Sequence, residues 1–165
     1  MIQKNKGFTL VELFVTLLVG SILLAWGVPS YRDFKIRKQV SDMSNEIVYS
    51  LTVARNEAIK QGVDVIVDRN GSNWRDGWQI FTLDELGNND ELVYVQPALP
   101  RNLKVTQSGG FTGDLIYNNV GALRGGLGTQ FAIEDDPSVN GSTAISNNLR
   151  NILISPSGSA RVVKP

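Results

Sequence analysis

The pattern of apolar and polar residues changes twice along the chain. A short polar stretch, residues 1–7, precedes an apolar run from Phe8 to Val28 in which Glu12 is the one charged residue. A helix needs about 20 apolar residues to cross a hydrocarbon core, so residues 8–28 predict a membrane-spanning helix. A cleaved signal peptide that ends at Ala25-Trp26-Gly27 is the alternative, although its apolar region is usually only about 7–15 residues long.

A helical period follows the apolar run. The apolar side chains at spacings of three and four residues are those of Val40, Met43, Ile47, Leu51, Ala54 and Ala58. Residues at this spacing share one helix face, which predicts that residues 29–61 continue the helix and bury that face in a core. Pro29 lacks an N–H and should kink or locally melt the helix. Gly62 is the expected stop.

Short alternating runs replace the helical period in residues 62–165. The predicted strands are Val63–Val67, Gly77–Leu83, Leu92–Val95, Leu103–Val105, Gln130–Ile133, Asn151–Ile154 and Ala160–Val163. Stretches rich in glycine, asparagine and serine separate them. One long helix followed by antiparallel strands predicts an α+β fold. The second half of the helix should pack on the β-rich globular domain, while the first half spans the membrane.

The amino-acid composition lacks two of the residue types that enzymes use most often in catalysis. The 165-residue chain contains no cysteine and no histidine, so it lacks a thiol nucleophile and the commonest general base. It also contains no P-loop, dinucleotide-binding fingerprint or nucleophile elbow. We therefore expect no enzymatic activity, no cofactor and no metal site.

Two acidic clusters and one glycine-rich stretch could each bind a ligand or could simply be surface loops. Asp84-Glu85 with Asp90-Glu91, and Glu134-Asp135-Asp136, could offer oxygen ligands to calcium. Neither cluster has the spacing of an EF-hand, so solvated loops are the expectation. The glycine-rich stretch 121–126 lacks a strand–helix context and is expected to be a surface loop.

Glu12 is the one charge in the apolar run. A carboxylate at the bilayer centre costs about 2.5–3.5 kcal/mol, and less near the end of the span. Two interpretations stay open: the side chain reaches the interface without a role, or it pairs with a positive group when chains pack together. Basic residues flank the run on both sides, so their count does not decide its orientation.

The start of the run carries a recognisable motif. Gly7-Phe8-Thr9-Leu10-Val11-Glu12-Leu13 resembles the prepilin peptidase signature of type IV pilins and type II secretion pseudopilins. The resemblance implies that residues 1–7 are a leader peptide, that a prepilin peptidase cleaves between Gly7 and Phe8, and that Phe8 is then N-methylated. It also implies roles in assembly for Glu12 and for Pro29, which matches the helix-bending proline of that family.

Two later motifs resemble the GspH/FimT branch of minor pilins and pseudopilins. One is Ala54-Arg55-Asn56-Glu57-Ala58, and the other is Trp74-Arg75-Asp76-Gly77-Trp78, whose tryptophans are most simply core aromatics on a hairpin. This likeness covers roughly the first 85 residues. It implies a pilin-like fold, an inner-membrane anchor and a globular domain in the periplasm.

The resemblance implies a minor pilin that assembles with other pilins into a type IV pilus. Pilus initiation, twitching motility, adhesion and DNA uptake are the outputs that it allows. The alternative is a minor pseudopilin of a type II secretion system, because both classes share fold and processing. A periplasmic binding module on a plain anchor would leave Glu12 and the cleavage signature unexplained.

The C-terminal part of the chain suggests a weak DNA site. No acid occurs from residue 137 to the end, where Arg150, Arg161 and Lys164 are basic. Some FimT-like minor pilins implicated in DNA uptake carry a Gly-Arg-x-Arg motif, and Gly158-Ser159-Ala160-Arg161 is similar, with a serine in place of the first arginine. Three cations predict weak, salt-sensitive phosphate binding. A polar edge strand without any DNA contact is the alternative.

Overall fold

The computed structural model describes residues 7–140 and 149–163. Its elements are α1 (Leu10–Gln61), β1 (Val65–Arg69), a 3-10 turn (Trp74–Asp76), β2 (Trp78–Leu83), β3 (Asn89–Gln96), β4 (Leu103–Gly109), β5 (Leu115–Tyr117), β6 (Thr129–Asp135), α2 (Pro137–Asn140), β7 (Arg150–Ile154) and β8 (Ala160–Val163). This order confirms the predicted α+β fold. The chain divides within α1, between Arg37 and Lys38, into two compact units.

The first unit is the N-terminal part of α1. Its first turn is closed by Thr9, whose side-chain oxygen Oγ1 accepts the backbone N–H of Glu12 at 3.2 Å. Threonine followed three residues later by glutamate is a capping-box pattern, and the threonine satisfies an N–H that would otherwise lack a helical partner. By length and composition alone, α1 could cross a membrane.

Helical structure continues through Pro29. The backbone is helical at residue 29 and on both sides of it. The local melting that the sequence analysis allowed is therefore absent, and a bend at this residue stays a prediction.

The second unit buries one face of the remaining part of α1. Five of the six residues predicted for that face are buried, and Met43 is half-buried. Ser44 and Ser50, which the apolar pattern does not include, are buried beside them. Each serine hydroxyl donates to the carbonyl four residues earlier, at 2.7 Å and 2.9 Å, so burial leaves neither hydroxyl unsatisfied. The helix ends at Gln61, before Gly62 with a φ of 70°, as predicted.

The strands of this unit form two four-stranded sheets. Their orders are β3-β2-β1-β5 and β4-β6-β7-β8, and the pairings described are antiparallel. The seven predicted strands are present with shifted ends, and β5 was missed. Both acidic clusters were expected in loops, which is partly wrong. Asp90 and Glu91 lie in β3, and Glu134 and Asp135 lie in β6.

Aromatic side chains fill the core of the second unit. Trp78, Tyr117 and Phe131 are fully buried. Trp74 is also buried and meets Phe131 edge to face, with ring centroids 4.9 Å apart. The prediction that both tryptophans are core residues is therefore confirmed, although Trp74 lies in the 3-10 turn between β1 and β2. Gly77 is required between them, since its φ is 90° and a Cβ there would come within 2.3 Å of the Gln96 carbonyl oxygen.

Candidate assembly surface

An apolar surface surrounds the chain from Phe8 to Val28, at the start of α1. Every large apolar side chain from Phe8 to Val28 is at least 50 % exposed. Soluble monomeric proteins rarely expose contiguous apolar patches larger than a few hundred Å². A helix that is apolar all round requires a surrounding of lipid or of other helices. This surface can therefore anchor the chain in a bilayer and can also pack against sister helices.

Glu12 lies on this surface, in the first turn of α1. Its side chain is exposed, and no described cation lies within ion-pair distance of it. A carboxylate in the first turn is favoured by the positive end of the helix dipole, by about 0.3–1 kcal/mol at an exposed site. That is less than the cost of a carboxylate in lipid, so pairing with a cation from outside the described chain would stabilise it further.

Gly7 and Phe8 precede α1 and have no regular secondary structure. Phe8 is 80 % exposed. A Cβ added at Gly7 would meet no atom within 4 Å, and its φ is not in the left-handed region. Packing of the described chain therefore does not require a glycine at this position. The peptide bond between these residues is open to another protein.

Of the cations proposed for DNA binding, the two that the structure describes, Arg150 and Arg161, lie on opposite faces of their sheet. Leu153 of β7 pairs with Arg161 of β8, so these two residues share one face of the sheet. Arg150 lies an odd number of residues from Leu153 and therefore faces the opposite side. Lys164 lies outside the described residues. Arg161 lines a shallow pocket of about 350 Å³ with Ser155 and Ser159, so only part of the predicted site is brought together.

The acidic clusters serve local structure. No group of three or more described His, Cys, Asp or Glu residues is placed to hold a metal ion. The Asp84 carboxylate accepts the backbone N–H groups of Asn88 and Leu86 at 2.8 Å and 2.9 Å. These bonds, with the Asn88 backbone first, lower the pKa of Asp84. Glu134 pairs with Lys104 at 3.2 Å.

A polar cleft of about 570 Å³ was not predicted from the sequence. It lies between the 3-10 turn of the first sheet's β1–β2 connection and β4 of the second sheet. Arg69 at its wall is held in place, because its Nε donates to Asp114 at 2.8 Å and its guanidinium lies 5.9 Å from the centre of the Trp74 ring. The sequence contains a partial indication of this cleft, because Arg69 and Arg75 lie on either side of Trp74. Lys104 joins them only through the packing of the 3-10 turn against β4.

The fold and the apolar helix together define a pilin-like protein, and comparisons with known proteins agree. The family profile described as "Type II transport protein GspH" matches residues 44–160, and the "Prokaryotic N-terminal methylation motif" matches residues 2–28. The chain therefore belongs to the GspH family of pilin and pseudopilin subunits. This confirms the family that the sequence motifs predicted.

Two fimbrial proteins are similar to part of this chain in sequence. A "Fimbrial protein" of Pseudomonas aeruginosa is 36 % identical over 64 residues, which cover 39 % of this chain and 41 % of the relative. "Fimbrial protein EcpC" of Eikenella corrodens is 42 % identical over 43 residues, which cover 26 % of this chain and 28 % of the relative. The chain spans about two fifths or less of the length of these two relatives.

Two solved structures share the fold. The type IV minor pilin FimU of Pseudomonas aeruginosa superimposes with a TM-score of 0.61 and 22 % identity, over 80 % of this chain and 92 % of FimU. The minor pseudopilin EpsH of the Vibrio cholerae Type 2 Secretion System gives a TM-score of 0.55 and 14 % identity, over 77 % and 98 %. At these identities the likeness concerns the fold alone.

Proposed function

We propose that the chain is a minor pilin of a type IV pilus. The observation that carries the proposal is the fully exposed apolar helix with Glu12 near its start, in a segment that matches the N-terminal methylation motif. A prepilin peptidase cleaves between Gly7 and Phe8, and Phe8 is then N-methylated. Before assembly the helix anchors the subunit in the inner membrane, with the globular unit in the periplasm.

Assembly transfers the exposed helix from lipid to a bundle of neighbouring helices. Removing residues 1–7 creates a positive amine on Phe8, within reach of a carboxylate in the first turn of the same helix or of a neighbour. A charge-assisted hydrogen bond between this amine and Glu12 would satisfy both groups in an apolar surrounding. Wrongly staggered helices would leave the carboxylate unpaired, so the same pair would also set the axial position of the subunit.

The partners of this step are other pilins, the prepilin peptidase and the membrane. Pilus initiation is the output that follows most directly, with twitching motility, adhesion or DNA uptake as consequences of the pilus. The alternative role is that of a minor pseudopilin of a type II secretion system. The fimbrial relatives support the first role, and the family description supports the second.

Deletion of the gene separates the two roles. We expect the deletion strain to lose most of its surface pili while the secretion of exoproteins continues, and we expect the wild-type gene to restore piliation. Pili are counted by electron microscopy, and secreted proteins are measured in the culture medium. Loss of secretion with normal piliation would assign the chain to the secretion system. A strain normal in both would contradict the proposal.

A further inference from the structure

We infer that the cleft between the 3-10 turn and β4 binds an extended acidic segment of a neighbouring filament subunit. The inference rests on the proposed function, because it takes the partner from the same filament. The occupant is a polypeptide strand, and it docks beside β4.

The first observation is that β4 is an edge strand. The order of its sheet is β4-β6-β7-β8, so β6 is its one neighbour in that sheet. In an antiparallel ladder every second residue directs its N–H and C=O away from the paired strand. Among the described residues, no backbone group outside the sheet hydrogen-bonds the backbone of Lys104–Gln107. This edge therefore offers free donors and acceptors in the spacing of a β-strand.

The second observation is that the cleft follows this edge. Four consecutive residues of β4, from Lys104 to Gln107, line it. Successive side chains of a strand point to opposite faces, so a cleft that four consecutive residues line must run along the hydrogen-bonding edge. Four residues of strand span roughly 13 Å. An added strand of about that length would find its hydrogen-bonding partners inside the cleft.

The third observation is the distribution of charge around the edge. Three cations line the cleft: Arg69, Arg75 and Lys104. The Arg75 guanidinium makes no hydrogen bond or ion pair with another described residue. The acids Asp76 and Asp136 also line the cleft, and Asp136 accepts the Ser138 N–H at 3.1 Å and the Ser138 hydroxyl at 2.5 Å. These bonds, helped by Arg75 and Lys104, lower the pKa of Asp136.

The same features disfavour a nucleic acid. Two acids, Asp76 and Asp136, line the cleft beside the three cations, so it lacks the large excess of positive charge that a nucleic-acid backbone requires. A free strand edge is matched by another polypeptide backbone, as in β-augmentation, and not by a sugar–phosphate chain. One carboxylate on an added strand would suffice to pair with Arg75, and a second would share Lys104 with Glu134.

Hydrogen bonds also fix one end of the cleft. The Trp74 indole N–H donates to Gln107 Oε1 at 2.9 Å, and the Gly113 N–H donates to the same oxygen at 2.8 Å. These bonds tie the 3-10 turn and the loop after β4 to one end of the strand. A docking strand would therefore meet a wall of fixed geometry, which reduces the ordering cost of binding.

Site-specific photo-crosslinking in cells that assemble filaments tests the inference. The full chain carries the crosslinking amino acid at Thr106, an exposed residue that lines the cleft, and filaments are sheared off and analysed by mass spectrometry. We expect a covalent product with an extended, acidic segment of another subunit that has the N-terminal methylation motif. A crosslinker at Val120, 70 % exposed and outside the cleft, should not give this product.

Charge-reversal variants test the role of the cations, with a matched control outside the cleft. The double variant Arg75→Glu, Lys104→Glu should reduce the Thr106 product several-fold, since it replaces attraction with repulsion at the same surface. Arg101→Glu changes an exposed arginine outside the cleft and should leave the yield unchanged.

The outcomes separate this inference from the proposed function. A chain that enters filaments but gives no Thr106 product, a product indifferent to the double variant, or a product with DNA would overturn the inference and leave the filament role intact. A chain absent from filaments would overturn both.

Discussion

One helix passes through two opposite environments. Between Phe8 and Val28 its apolar side chains point in all directions, and each large one is at least 50 % exposed. Between Val40 and Ala58 the apolar side chains share one face, which is buried. The first pattern needs a surrounding that the chain does not provide, whereas the second is satisfied within the globular unit. The two parts of α1 therefore have separate requirements: one is buried in the globular unit, and the other needs lipid or other helices around it.

Removing the exposed part of α1 should have the largest effect. We expect a chain that begins at Lys35 to lose membrane attachment completely and still to be soluble, monomeric and cooperatively folded. The physical reason is that the buried face of the helix lies beyond this point, from Val40 to Ala58. Thermal unfolding followed by circular dichroism, with sedimentation to test for monomers, measures both properties. Aggregation that the missing segment cures would show that the two parts are not separable.

Shortening matched leucines on the two parts comes next. Leu51 is 2 % exposed and Leu17 is 62 % exposed. Leu51→Ala should lower the free energy of unfolding by about 2–5 kcal/mol, because it leaves a cavity in a packed core. Leu17→Ala should leave the unfolding of the globular unit unchanged. Denaturant unfolding of both full-length variants in detergent makes the measurement. Equal losses would mean that the N-terminal part contributes to the core.

Glu12 should affect assembly and leave folding alone. Removing a charged hydrogen-bonding group costs about 1.5–3 kcal/mol, so Glu12→Ala should reduce incorporation into filaments about tenfold or more. Quantitative immunoblotting of sheared filaments measures incorporation. Glu12→Gln keeps the size and removes the charge, and it should be almost as defective if charge is what matters. Full incorporation of both variants would restore the interpretation that Glu12 reaches the interface without a role.

A smaller effect is expected from a hydrogen bond inside the globular unit. The Tyr94 hydroxyl donates to the Glu46 carboxylate, which links β3 to α1. Burial, followed by the hydrogen bond to Glu46 and its negative charge, raises the pKa of Tyr94 to about 12. The neutral phenol is therefore favoured by folding. Its contribution is complete below about pH 10, the unfolded value, and is lost as the pH rises toward 12.

Removing this hydroxyl should make the pH profile of stability shallower. Tyr94→Phe should cost about 1 kcal/mol at pH 8 and should reduce the loss of stability between pH 10 and 12. Some loss should persist, because burial also raises the pKa of Tyr117. Tyr31→Phe is the control, since Tyr31 is 70 % exposed and lies in the other unit of the chain. Urea unfolding at several pH values gives the profile, and an unchanged slope in Tyr94→Phe would contradict the assignment.

Local periodicity made most of the fold predictable. The buried helix face, the stop at Gly62 and seven strands follow from spacing within a few residues. β5 was missed because three residues are too few to show alternation, and it exists through its pairing with β1. The burial of Ser44 and Ser50 was not predicted, because the pattern considers only apolar residues. Their hydroxyls can be buried since each donates a hydrogen bond to a backbone carbonyl of the same helix.

Contacts between distant parts of the sequence were not predictable. The cleft brings Arg75 near Lys104 only because the 3-10 turn packs against β4. The placement of Arg150 and Arg161 on opposite faces depends on the register between β7 and β8, which charge counting ignores. DNA binding by Arg150, Arg161 and Lys164 stays a prediction. The N-terminal signature needed no tertiary information, because its residues are contiguous.

The mass of the mature chain in purified filaments shows where the chain is cleaved and whether the apolar helix is retained. Intact-protein mass spectrometry should find a chain that begins at Phe8, carries one methyl group on its N-terminal amine and retains residues 8–28. A chain that begins after Gly27, as an ordinary signal peptide would leave it, would remove the assembly helix and contradict the account. A chain that keeps residues 1–7 within the filament would contradict it as well.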